Sequence, residues 1–287
     1  MLLHAGQLIA PHDVWTAWSG EPFVLGALTL TTWAYARGVR AAWRSAGTGR
    51  GIGRGHVAAF AGAMAALFIA LVSPVDQLGG TLFSAHMVQH LLLILAAAPL
   101  LVLAAPDRAF TWALPRSARR CAGRLFNRPG VRGLAHAATR PMTAWLLHSI
   151  VLWVWHIPGP YAAALASDAV HATEHAGFFL TALLFWWVVL RPPRRRAAYG
   201  LGVIFVFATA MQSGVLGALI TFAGAAWYPV HAEGAALWGI TALEDQQMAG
   251  LVMWVPAGLV YVVAAGLLCA AWLELPRPRP RFASARG

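Results

Sequence analysis

Seven runs of mostly apolar residues, each of helix length and none alternating strictly with polar ones, constrain this chain more than any other feature. They lie near residues 23–43, 56–73, 83–105, 141–157, 170–190, 201–224 and 248–273. A run of about 20 apolar residues forms a helix that crosses the hydrocarbon layer of a bilayer. The other spanning form, a closed barrel, needs alternation that is missing here. Composition agrees: 59% of residues are hydrophobic and 11% charged, where a soluble domain carries about a quarter charged. The fold class expected is all-α, a polytopic membrane protein. An outer N-terminal segment (1–22) precedes a seven-helix transmembrane domain (23–273) and a basic cytoplasmic tail (274–287).

The net charge of +11 does not point to nucleic acid, because its distribution is topological. All 21 basic residues are Arg. They cluster at Arg37–Arg54, at Arg108–Arg140, after Arg191 and in the tail, on alternate connections only. Cytoplasmic loops carry such an excess, so the N-terminus is expected outside and the C-terminus inside. The arginines then meet anionic lipid headgroups, and a short amphipathic helix around Arg116–Phe126 is expected on the inner leaflet. The start, "MLLHAGQLIAPHDVW", has no basic segment followed by a long apolar one, so no cleaved signal peptide is expected. Cys121 and Cys269 form no CxxC and no plausible pair, which argues against a disulfide framework or a thiolate metal site.

Topology also sorts the 11 histidines. His56 and His136 fall on the inner side, and His4, His12 and His231 in outer segments expected to be mobile. His86 and His90 open the third run, His171 and His175 open the fifth, and His156 ends the fourth. Residues four apart share a helix face, so the two pairs present imidazoles at similar outer depth, with His156 between them in sequence. Ionisable groups in a membrane are expensive and mark sites, and neutral imidazole ligates copper, zinc and iron. One such histidine would be ordinary packing; five in one layer point to metal. His148 lies about 12 Å deeper than His156 at 1.5 Å per residue, and both a helix-bridging bond and a deeper ligand remain open for it.

Met87, Met248 and Met253 lie in outer halves, where a thioether would favour Cu(I). Asp76, Glu174 and Asp245 are candidates to orient the imidazoles or tune their basicity. Trp153, Trp155, Trp186, Trp187 and Trp254 read as interfacial belts and helix packing. Pro99 and Pro256 fall inside spans, where they can kink a helix.

The segments "SPVDQLGGTLFSAHMVQHLLLILAAAPLLVLAAP", "WHIPGPYAAAL", "HATEHAGFFLTALLFWW" and "EDQQMAGLVMWVP" resemble the seven-span CtaG family of caa3-type cytochrome c oxidase assembly factors. The resemblance covers well over half the chain. It implies a non-enzymatic, multi-pass protein of the bacterial inner membrane that assists formation of the oxidase's copper centre. Its partners would be an oxidase subunit and membrane lipid, and it allows a periplasmic copper donor. The residues it points to are Asp76, His86, Met87, Gln89, His90, His156, His171, Glu174, His175, Asp245 and Gln246.

The leading expectation is therefore an assembly factor that holds copper, as Cu(I), among His86, His90, His156, His171 and His175, with Met87 or Met248. A b-type haem protein with bis-His ligation is one alternative. A membrane zinc peptidase is another, because His171-x-x-Glu174-His175 fits the H-x-x-E-H pattern. Copper transport across the bilayer would need ligands continuing to the inner face, and the histidines stop at His148.

Overall fold

A computed structural model describes residues 8–193 and 196–274; His4, Arg194, Arg195 and the tail beyond Glu274 lie outside the described residues. Each of the seven apolar runs folds as helix. In chain order they are α1 (Pro22–Ala46), α2 (Arg54–Leu71), a third rod to be divided below, α9 (Pro141–Trp155), α11 (Asp168–Leu190), α12 (Arg196–Thr221) and α14 (Ala242–Glu274). Short helices fill the connections: α3 (Pro74–Thr81), α6 (Pro106–Ala113), α7 (Arg116–Phe126), α8 (Pro129–Ala138), α10 (Pro158–Ala166) and α13 (Ala232–Leu237). Most of them start on proline, whose fixed φ and missing N–H suit the first helical turn. The amphipathic helix expected around Arg116–Phe126 is α7.

Among the described residues, five helices are long and apolar enough to cross a membrane: α2, the rod Phe83–Leu103, α11, α12 and α14. The other two differ for visible reasons. Helix α9 has 15 residues, about 22 Å at 1.5 Å each, and α1 carries Arg37, Arg40 and Arg44 in its second half.

The third rod is not uniform. It runs as α4 (Phe83–Leu91), a π-helical stretch (Leu92–Ala97) and α5 (Ala98–Leu103). Pro99 accounts for the change, since it can neither donate to the carbonyl four residues back nor tolerate that carbonyl in place. The distortion frees Ile94 O, which accepts the indole Nε1–H of Trp186 at 2.8 Å. Trp186 is therefore a core residue, 2% exposed, and not part of an interfacial belt.

Lipid gives helices little hydrophobic reason to associate, so close approach depends on small residues. Helices α12 and α14 pack along their length, with Gly250 against Gly217; a Cβ on Gly250 would stand 2.6 Å from the Gly217 carbonyl. The core runs between α4, α9, α11, α12 and α14 and holds Phe83, Met87, Phe178, Phe185, Trp186 and Tyr261. At the end of the bundle that carries the arginine-rich connections, Arg191 bridges α11 to Asp107 at 2.9 Å and to the Val102 carbonyl. The histidines gather at the opposite end.

Candidate metal centre

Helix α4 begins at Phe83 and α11 at Asp168, and both begin at the same end of the bundle. His86 and His171 are each three residues into their helix, and His90 and His175 each seven. Equal rise places the two pairs at matching depths, about 4.5 and 10.5 Å below the helix starts. His156 is the residue just past the end of α9, where that helix returns to this level.

The pairs meet. Ring centres are 4.3 Å apart for His86–His90, 4.1 Å for His171–His175, 5.4 Å for His86–His171 and 5.4 Å for His90–His175. Glu174, fully buried, projects between the helices. One ligand atom from each of His86, His171, Glu174 and His175 can be chosen so that all four lie within 4.8 Å of one another. Glu174 Oε2 is 3.6 Å from His86 Nε2, and Oε1 is 3.8 Å from His90 Nε2. These distances are too long for hydrogen bonds, and neither Nε2 nor either carboxylate oxygen has another hydrogen-bond partner. A buried carboxylate left so is costly. Ligands on one ion with bonds of about 2.0–2.1 Å stand about 3–4 Å apart; the His86–Glu174 contact at 3.6 Å has that spacing, and the four atoms lie within 4.8 Å of one another. The residues fit a metal ion of the imidazole-binding class. Glu174 is thus a candidate ligand, beyond the orienting role expected for it.

The other expected supporting residues hold the frame. Asp245, on α14, caps α4 from outside: its Oδ2 accepts from the Phe83 N–H at 2.6 Å, its Oδ1 from the Ser84 N–H at 3.1 Å and from the Ser84 hydroxyl. That fixes the first turn of α4, on which His86 sits. Gln89 Nε2 donates to the Ala70 carbonyl at 2.8 Å and to Asp76 Oδ1 at 2.7 Å, which ties α4 to α2 and α3. Gln246 Oε1 accepts from the Trp227 N–H at 2.6 Å and its Nε2 donates to Ala225 O, so it shapes the connection after α12.

That connection forms a lid, and sequence reasoning missed it. His231, expected in a mobile segment, is 2% exposed. Its Nδ1–H donates to Thr81 O at 3.2 Å and its Nε2 accepts from the Tyr161 hydroxyl at 2.7 Å. Burial, reinforced by nearby His86 and partly offset by the Thr81 carbonyl and Asp245, holds its pKa down at about 4. Tyr161 packs edge-on to His86, with ring centres 5.1 Å apart, and Tyr228 donates to His156 O at 2.6 Å. Gly234 makes the fit possible, because a Cβ there would lie 2.0 Å from Thr81 O. No signal in the sequence placed this loop over the histidines.

The remaining expected ligands separate. His156 lies beside His90, ring centres 6.3 Å apart, but outside the four-donor group. Met87 is buried on α4, between His86 and His90 in sequence, whereas Met248 is 41% exposed on the bundle surface and is not brought to the cluster. His148, deeper in α9, bonds Thr181 Oγ1 at 3.2 Å.

A family model described as cytochrome c oxidase caa3 assembly factor (Caa3_CtaG) matches residues 33–274. Neither a curated protein nor a solved structure matches the chain.

Proposed function

Since the chain belongs to the caa3 cytochrome c oxidase assembly factors, we propose that it holds copper at the His86–His171–Glu174–His175 cluster and presents it to an oxidase subunit while that subunit's metal centre forms. The observation that carries this reading is the convergence of three imidazoles and a carboxylate at one end of the bundle, with His86 Nε2 and both Glu174 oxygens buried without hydrogen-bond partners. Three imidazoles and a carboxylate suit copper, and His90 stands by as a further donor.

His86 and Glu174 are buried, and His171 and His175 on α11 are part-exposed although their Nε2 atoms are buried, so α11 forms the less deeply covered side of the cluster. By the positive-inside rule the arginine end faces the cytoplasm of a bacterial inner membrane. The cluster then lies at the outer end, where a copper donor and the oxidase subunit would meet it, while α7 and its neighbours rest on anionic lipid.

The alternatives fit less well. Five imidazoles crowded at ring separations of 4.1–6.3 Å leave no slab of space for a porphyrin. A peptidase would need Glu174 open to a water and a peptide, and it is 0% exposed. The test is oxidase assembly in cells whose own copy is replaced by His86→Ala/His175→Ala. Oxidase that retains haem and lacks copper supports the proposal; oxidase with normal copper content refutes it.

A further inference from the structure

Below the cluster, toward the middle of the bundle, lies a cavity of about 30 Å³. A water needs about 10–15 Å³, so the space suits an ion or one to two waters. Most of its wall is hydrocarbon. Five lining side chains nevertheless carry nitrogen or sulfur donor atoms: Met87, His90, His148, His156 and Met253. All five are buried, and no carboxylate lines the cavity.

Hydrogen bonds set two of these imidazoles in one tautomer. His156 Nδ1 donates to Leu152 O at 2.6 Å, so the neutral ring keeps its lone pair on Nε2. That Nε2 is buried and has no hydrogen-bond partner. For His148 the assignment follows from a chain of bonds. The Thr181 hydroxyl donates to Gly177 O at 2.7 Å, so at the 3.2 Å contact with His148 Nδ1 the ring must be the donor. Its lone pair is on Nε2 as well. Imidazoles that bind metal are commonly held this way, with the other ring N–H on an oxygen. His90 closes the cavity on the side of the cluster: its ring lines the wall, and its Nε2 is 3.8 Å from Glu174 Oε1. The 6.3 Å between the His90 and His156 ring centres is comparable to that of two imidazoles sharing one ion through bonds of about 2.0–2.1 Å.

We infer that this chamber is a second metal site, selective for Cu(I), built from His156, Met87 and Met253 and connected to the cluster through His90. The two sites differ in kind. The cluster includes a carboxylate, whereas the chamber offers imidazole and thioether beside the neutral hydroxyls of Ser213 and Tyr261, and imidazole with thioether is the softer set that favours Cu(I). The expectation that methionine marks a Cu(I) ligand therefore moves from the cluster to the chamber, and from Met248 to Met253. His90 borders both spaces, in the wall of the chamber and 3.8 Å from Glu174 of the cluster.

The test uses the purified full chain with Cys121→Ser and Cys269→Ser, because both cysteines are free and would supply sulfur of their own. The protein is loaded anaerobically with Cu(I), its copper content is measured and its copper-edge X-ray absorption recorded. Two equivalents and a sulfur shell are expected. Met87→Leu/Met253→Leu, which conserves volume, should lose one equivalent and the sulfur shell. His86→Ala/His175→Ala should lose the other equivalent and keep the sulfur. Absence of sulfur in the parent chain, or a sulfur shell unchanged in the Met→Leu protein, overturns the chamber. If the chamber passes and His86→Ala/His175→Ala keeps both equivalents, the cluster reading fails while the chamber stands.

Discussion

Glu174→Gln should make the metal-free protein more stable and the metal-loaded protein less so. The carboxyl group is fully buried, and the imidazoles nearest it stand at 3.6 and 3.8 Å, beyond hydrogen-bond reach. Replacing a buried ion pair by neutral groups of similar volume is neutral or stabilising by about 1–4 kcal/mol, and the Glu174 oxygens have no hydrogen bond to lose. Gln keeps the volume and can donate to an imidazole. At about 2–4 °C per kcal/mol for a domain of 150–250 residues, a gain of about 1–4 kcal/mol raises the melting of the metal-free variant by about 2–16 °C. Copper changes the sign. At 100 times its dissociation constant, copper stabilises the parent by about 2.7 kcal/mol. If losing the carboxylate weakens binding 100-fold, the same copper concentration stabilises the variant by only about 0.4 kcal/mol. The assay is tryptophan-fluorescence melting in detergent, with and without copper. A variant that melts below the parent without metal, or that keeps the full copper-dependent shift, would refute the reasoning.

Asp245→Ala removes three hydrogen bonds from the first turn of α4; loss of a cap costs about 0.5–2 kcal/mol, and unsatisfied buried N–H groups add to it. Melting should fall by several degrees and copper affinity with it, and unchanged melting would show the cap to be idle. Gly234→Ala puts a Cβ 2.0 Å from Thr81 O, so the lid must lift and the Tyr161–His231 bond break; faster copper exchange checks this. His231 has a pKa of about 4 in the folded chain against an ordinary 6.5. Its contribution to stability is therefore complete above pH about 6.5 and lost as pH falls toward 4, by on the order of 3 kcal/mol. His231→Gln should flatten the acid side of a melting-against-pH curve, and curves of equal slope would contradict the assignment.

The sequence made the helices legible because lipid leaves so little choice: apolar runs of that length must be helical, and arginines mark alternate connections. It also made half of the site legible. His86/His90 and His171/His175 stand at equal offsets from their helix starts, and a spacing of four puts each pair on one face whatever the rotation. Rotation itself was not legible. Met248 and Met253 are five residues apart on α14, so they point to different sides of a helix that is apolar all round, and packing against Gly217 decides which faces inward. The connection after α12 was illegible for a different reason. His231 is buried by bonds to Thr81 and Tyr161, which are 150 and 70 residues away. The π-helical turn shows the same division: Pro99 announced a defect, but only the fold supplies Trp186 to satisfy the freed carbonyl.

The central claim is that the cluster binds copper. Its most direct test is a competition titration of the purified protein, with copper supplied both as Cu(I) and as Cu(II), in the parent chain and in His86→Ala/His175→Ala. The account predicts that the variant binds one equivalent fewer in whichever oxidation state the cluster accepts. Equal stoichiometry in the two proteins for both oxidation states would contradict it.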